Sequence, residues 1–206
     1  MTKKLTSLSV LLLCLIHLVH SQAVDERRIR EYLEKHRGDW HEMNVPFQDG
    51  QLLYDLVLQN HYQHIVEIGT STGHSTVWLA WAASQTGGKV VTLELNERRQ
   101  KEAIRNVEEA GLTAFVEFRL GNAHELVKTL GFRPDFVFSD ADKDWYLQYF
   151  LDLRESLLPG GCYTTHNVTD GQAGDKYIDY LQHDPDFTSR IERSSRAGVM
   201  VSFKKK

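Results

Sequence analysis

H-I-V-E-I-G-T-S-T-G-H-S-T-V-W-L-A, His64 to Ala80, carries three kinds of local structure in one line. Ile65 to Ile68 is a short apolar run and predicts a buried strand. Gly69-Thr70-Ser71-Thr72-Gly73 predicts a tight loop. His74 to Ala83, with Val77, Leu79 and Ala80 apolar, predicts a helix. Strand, glycine loop and helix together form the opening unit of a nucleotide-binding α/β fold. Glycines let backbone approach a ligand, and a helix N-terminus offers free N–H groups. The spacing is G-x-x-x-G rather than the dinucleotide G-x-G-x-x-G, and an acid, Glu67, stands just before the loop. A second acid, Glu94, ends the next apolar run, Lys89 to Leu93. It lies 21 residues after Gly73, near the offset of about 20 for a ribose-binding acid.

Working outward, the same alternation repeats. Asn96 predicts the cap of a helix that runs to Ala110 and stops at Gly111. Strands are predicted over 114–120, 134–139 and 162–165, with a turn at Gly121-Asn122-Ala123 and helices over 124–130, 145–158 and 173–181 between and after them. Phe187 to Glu192 and Gly198 to Phe203 predict an antiparallel closing pair. Upstream, Val24 to His36 predicts a charged helix with Ile29, Tyr32 and Leu33 on one face, acting as a lid or a dimer contact. Glu42 to Asp49 predicts a loop and Gln51 to Gln59 a second helix. This is a Rossmann-like, seven-stranded, mostly parallel sheet with helices on both faces.

The 206 residues suffice for one such domain. Residues 1–23 read as a signal peptide: Lys3 and Lys4, an apolar run from Leu8 to Val19, then Ser21-Gln22-Ala23. The run is too short for a comfortable membrane span, so the domain, 24–206, is expected to be exported, periplasmic or secreted, with an N-terminal membrane anchor as the alternative. Loss of Lys3 and Lys4 takes the net charge from −4 to −6, which argues against a nucleic-acid partner. It also leaves Cys162 without a disulfide partner, as a small core residue.

Every predicted strand end carries polar groups: Glu67, Glu94, Gly121-Asn122, Asp140 and His166-Asn167. In open α/β sheets ligands sit at those ends. The runs V-E-I-G-T-S-T-G-H-S-T, T-L-E-L-N, G-N-A, S-D-A-D-K-D-W-Y and P-G-G-C-Y-T-T-H-N-V resemble the class I S-adenosylmethionine-dependent O-methyltransferases. The nearest branch is the catechol/caffeoyl-CoA type with its bacterial relatives. The resemblance spans about Met43 to Phe203. It implies a cofactor loop of Glu67, Gly69, Thr70 and Gly73, with Ser75 near the methionine carboxylate. It implies Glu94 on the ribose hydroxyls, and Asn122 and Ala123 by the adenine. Asp140 and Asn167 are implied as metal ligands, and Lys143 as the base that deprotonates a hydroxyl of a small aromatic acceptor. A homodimer is an assembly the resemblance leaves open.

One position departs from that pattern. Relatives usually carry Asp immediately before the Asn, whereas this chain has His166. A neutral imidazole removes a negative charge and disfavours Mg²⁺. Three readings stay open: a transition-metal site of Asp140, His166 and Asn167, a weakened Mg²⁺ site, or a lost metal site in a cofactor-binding but retired enzyme. Two further patterns compete. Gly69 to Gly73 also fits G-x-S-x-G, and Ser71, Asp140 and His166 follow in triad order for an esterase. Only about 40 residues precede that elbow in the mature chain, and a hydrolase gives Glu67 and Glu94 no role. Asn167-Val168-Thr169 is a glycosylation sequon in a place where a glycan would close the site.

Overall fold

The computed structural model describes residues 24–40 and 42–206. The expected signal peptide lies outside the described residues. Seven strands form one sheet in the order β3-β2-β1-β4-β5-β7-β6. They are β1 His64–Ile68, β2 Lys89–Glu94, β3 Val116–Leu120, β4 Phe136–Ser139, β5 Cys162–His166, β6 Phe187–Glu192 and β7 Val199–Lys204. β1 to β5 are parallel, and β7 runs antiparallel to both β5 and β6. The order reverses between β1 and β4, which creates the crevice where ligands bind in such sheets.

Helices cover both faces. On one side α1 Glu26–Lys35, α2 Phe47–Asn60 and α3 His74–Thr86 bury Ile29, Leu53, Val77 and Trp81 against Ile65, Val90 and Phe136. On the other, α6 Tyr146–Arg154 and α7 Asp175–His183 bury Phe150, Leu153 and Leu181 against Val66, Val137 and Tyr163. Alternate residues of each strand thus point to opposite layers, as the pleat dictates. α4 Glu97–Glu109 is capped by Asn96, whose side chain accepts from the Arg98 and Arg99 backbone N–H groups. The short α5, Ala123–Leu126, is capped by Asn122.

Three expectations need correction. α1 is not a lid: it packs Ile29, Tyr32 and Leu33 into the domain's own core, its Arg28 guanidinium holds the Glu109 carbonyl at 2.6 Å, and it lines no part of the cavity at the strand ends. β4 starts at Phe136 because the Asp135 carboxylate instead accepts the Gln63 and His64 backbone N–H groups, each at 2.8 Å. α2 begins at Phe47, not Gln51. Pro46 (φ −56°) has no N–H to leave unpaired at a helix start. Asp49-Gly50 reads as a turn in sequence, yet a Cβ on Gly50 would stand 2.3 Å from the Trp78 ring. Close packing of α2 on α3 therefore keeps a glycine inside a helix and carries Asp49 with it.

Candidate active site

The glycine loop is built for close approach. At Gly69 (φ +100°) a Cβ would lie 2.8 Å from the Asp140 carbonyl oxygen, so the end of β1 abuts the end of β4. The Gly69 and Thr70 backbone N–H groups donate to the Leu93 carbonyl at 3.0 and 3.2 Å. A segment from before α2 lies over the loop. Ser71 Oγ donates to the Glu42 carbonyl (2.6 Å) and Asn44 Nδ2 to Thr72 Oγ1 (2.7 Å). The Glu42 side chain is gripped by Arg98 and Arg99, which hold its pKa below the ordinary value. Beneath, His74 is buried, stacked on Trp40 at 4.6 Å. It accepts from Trp78 Nε1 (3.1 Å), so its Nδ1 carries the proton and donates to the Val45 carbonyl (2.8 Å). Burial pulls its pKa down to about 4 and keeps it neutral.

One cavity of about 630 Å³ runs along the strand ends. At one end its wall is Gly69, Ser71, Glu94, Asn122 and Ala123; at the other it is Asp140, Lys143, His166 and Asn167. Two exposed apolar side chains, Met43 and Leu95, stand on the wall between solvent and cavity. Glu94 is fixed by two backbone donors, Ser71 N–H on Oε2 and Asn96 N–H on Oε1, each at 2.8 Å. Each carboxylate oxygen keeps further accepting capacity. Asn122 spends its carbonyl oxygen on capping α5 (His124 N–H, 3.0 Å), which leaves its NH₂ as the donor for a ligand. His124 lies flat on Trp145 with centroids 4.0 Å apart and adds an aromatic wall.

Glu67, Thr70, Gly73 and Ser75 are not on that wall. They sit beneath the loop. Glu67 is fully buried and accepts from Ser75 Oγ (2.5 Å), Thr76 Oγ1 (2.5 Å) and Thr92 Oγ1 (2.6 Å). Burial pushes its pKa up to about 7 against these hydrogen bonds, with the Asp140 charge adding to the rise. Thr70 Oγ1 shares a contact of 2.5 Å with Thr92 Oγ1. The acid before the loop thus ties β1, β2 and α3 together, and the hydroxyl expected beside a carboxylate of the ligand is turned inward to Glu67.

The acceptor end holds an unexpected arrangement. His166, almost fully buried, places Nε2 2.9 Å from Asp49 Oδ2 and Nδ1 3.2 Å from Asp140 Oδ2. The second contact is an ion pair out of hydrogen-bond alignment, so Nδ1 lacks an aligned partner. Asp49 also accepts from Ser194 Oγ and, at 2.5 Å, from Ser195 Oγ. Burial opposes charge on His166, but the Asp49 hydrogen bond and the charges of Asp140 and Asp49 outweigh it and raise its pKa to about 9. Burial likewise opposes charge on Asp49, and its bonds to His166, Ser194 and Ser195 bring its pKa below the ordinary value. Lys143 Nζ donates to Asp140 Oδ1 and, at 2.8 Å, to Tyr146 OH.

These donors do not fit the expected metal. Both ring nitrogens of His166 face carboxylates, Lys143 is bonded to Asp140, and Asn167 donates its NH₂ to Asp170 Oδ2 at 2.7 Å. Among the described residues no group of three His, Cys, Asp or Glu side chains is arranged to hold a metal ion. The esterase triad is not assembled either, because Ser71 Oγ is given to the Glu42 carbonyl and His166 to two carboxylates. Sequence reasoning missed Asp49, Ser194, Ser195 and Tyr146. Only the departure at His166 hinted that a compensating acid existed.

The sheet order, the glycine loop and the cavity at its switch point define a class I methyltransferase fold. An O-methyltransferase from Bacillus cereus, solved in complex with SAH, superposes with a TM-score of 0.74 at 27% identity, covering 90% of this chain and 94% of that one. TomG, an O-methyltransferase from Streptomyces achromogenes solved with SAM, gives 0.73 at 25% identity, with coverages of 88% and 91%. The chain belongs to the O-methyltransferase family, whose model matches residues 20–173. A catechol O-methyltransferase of Niastella koreensis is 34% identical over 139 residues, 65% of this chain and 62% of that protein. The caffeoyl-CoA O-methyltransferase 2 of Petunia hybrida is 30% identical over 141 residues, 66% and 57%. The match thus spans about three fifths of the length of these curated relatives.

Proposed function

We propose that this protein transfers the methyl group of S-adenosylmethionine to a hydroxyl of a small aromatic, catechol-like acceptor. The observation that carries this reading is the single cavity joining Glu94 and Asn122 at one end to Asp140, Lys143 and His166 at the other. Its volume lies in the range of small-molecule sites, roughly 300–1,000 Å³. The relatives, a catechol and a caffeoyl-CoA O-methyltransferase, support an aromatic acceptor. In this reading Glu94 accepts both ribose hydroxyls, Asn122 and Ala123 border the adenine, and Gly69 and Ser71 let the methionine end approach the loop. Glu67, Thr70, Gly73 and Ser75 position that loop from below.

The chemistry needs an oxygen nucleophile in line with the sulfonium. A phenol with a pKa of about 10 is a weak one at neutral pH, so a base must take its proton. Lys143 is assigned that role, with Asp140 and Tyr146 fixing Nζ. The unprotonated amine accepts the hydroxyl proton while the O–CH₃ bond forms and the S–CH₃ bond breaks, leaving a neutral thioether. The Lys143–Asp140 ion pair is the arrangement reached once the proton has been taken.

The segment 1–23 supports export of the domain. Among the described residues no helix is long and apolar enough to cross a membrane. A homodimer belongs to the same reading and is checked by light scattering. The test of function is methyl transfer from labelled S-adenosylmethionine to a panel of catechols, after chelation and again with Mg²⁺, Mn²⁺, Fe²⁺ or Zn²⁺ added. Labelled product establishes the reaction. Cofactor binding with no transfer to any acceptor would favour the second reading, a retired enzyme, which the replacement at His166 supports.

A further inference from the structure

We propose that Asp49 makes the acceptor end of this cavity a metal-independent site, by holding His166 where it presents Nδ1 beside Asp140 to the acceptor oxygen. The inference deepens the methyl-transfer reading and rests on it. Asp49 is a positioning residue: it is fully buried on the first turn of α2 and does not line the cavity, whereas His166 does. Two separate parts of the chain converge on it, namely His166 at the end of β5 and the β6–β7 turn with Ser194 and Ser195. A buried carboxylate costs several kcal/mol unless it is paired and hydrogen-bonded. Asp49 has both.

The charges close without an ion. Nε2 and Nδ1 of His166 each face a carboxylate, at 2.9 and 3.2 Å, and a ring with acceptors on both sides carries two N–H groups. In the state where Lys143 has taken the acceptor proton and pairs with Asp140, the two acids Asp49 and Asp140 meet two cations. A divalent ion at Asp140 would have to displace Lys143 and sit beside an imidazolium, against like-charge repulsion. The cationic donors occupy the place that an ion holds in the family pattern. Nδ1–H, buried close to Asp140 but out of alignment with it, is the donor that an acceptor oxygen entering beside Asp140 would meet as negative charge develops there.

The test uses the untagged full chain and Mn²⁺ as the probe, followed by electron paramagnetic resonance. Wild type should bind no stoichiometric Mn²⁺, and EDTA should change methyl transfer by less than twofold. His166→Asp should gain one Mn²⁺ site per chain. Asp49→Asn should lower kcat at least tenfold while the acceptor KM and the SAH dissociation constant stay within twofold, and Asp49→Glu should recover part of the loss. Calorimetric SAH binding verifies that each variant is folded. One Mn²⁺ bound per wild-type chain, or transfer abolished by EDTA and restored by a metal, would overturn the proposal, as would an unchanged kcat in Asp49→Asn. Mn²⁺ binding is read without turnover, so failure to methylate any acceptor would strike the methyl-transfer reading while the binding result still judges the site.

Discussion

Raising the pH from 6.5 to 9 should cost this fold about 3 kcal/mol through one side chain. His166 has its pKa raised from 6.5 to about 9; burial works against the charge, and the Asp49 hydrogen bond and the charges of Asp140 and Asp49 outweigh it. One pKa unit is worth about 1.4 kcal/mol, so a shift of about 2.5 units amounts to about 3 kcal/mol. The folded state holds the proton more tightly. Its contribution is therefore complete below pH 6.5, declines as the pH rises, and is gone once the pH passes about 9. For a domain of this size each kcal/mol moves the melting temperature by roughly 2–4 °C, so the fall should be roughly 6–12 °C. The assay is calorimetry of wild type and His166→Gln at matched ionic strength across that window. Glu67, at about 7, adds a slope of the same sign, but it is common to both proteins and cancels in their difference. His166→Gln should be the less stable protein at pH 6.5, by about 3–5 kcal/mol, because Asp49 loses its charge partner, and its curve should be the flatter. Parallel curves would mean that His166 is neutral when folded, and the charge balance argued for the acceptor end would be wrong.

Glu94→Gln should weaken SAH binding about tenfold to a hundredfold by calorimetry, since a hydrogen bond to a charged group is worth about 1.5–3 kcal/mol, and should also lower the melting temperature, because one of the two backbone donors, Ser71 N–H or Asn96 N–H, then faces an NH₂. Lys143→Met should lower kcat by about 10²–10⁴ as expected for a lost general base, with the SAH dissociation constant unchanged. Gly69→Ala should destabilise the fold by more than about 1 kcal/mol and weaken SAH binding, because its Cβ would stand 2.8 Å from the Asp140 carbonyl at a φ of +100°; a urea titration checks the first part. Ser71→Ala should leave the protein without burst hydrolysis of an activated ester, as wild type should be, while methyl transfer stays within a few-fold.

The strand–loop–helix unit was legible because its signals are local: an apolar run, two glycines and a polar helix start within seventeen residues, His64 to Ala80. Glu94 was legible for the same reason, as the last residue of its strand. Glu67 shows where local reading fails. It is the penultimate residue of β1, and the pleat turns it toward α3, where two hydroxyls of that helix and one of β2 take it, rather than outward into the cavity. Asp49 lies further still from anything a pattern can show. It meets His166 across 117 positions of sequence, and its neighbour Gly50 disguises a helix as a turn because the reason for that glycine, the Trp78 ring, is on another helix. A buried charge obliges the chain to supply an opposite one, but does not say from where. A histidine at position 166, in a pocket that retains Asp140 and Lys143, therefore calls for an acid that no motif contains. Asp49, inside the first turn of α2 and flanked in space by two serines, is that acid, and the pairing makes sense of a tightly packed helix carrying a fully buried carboxylate at its start.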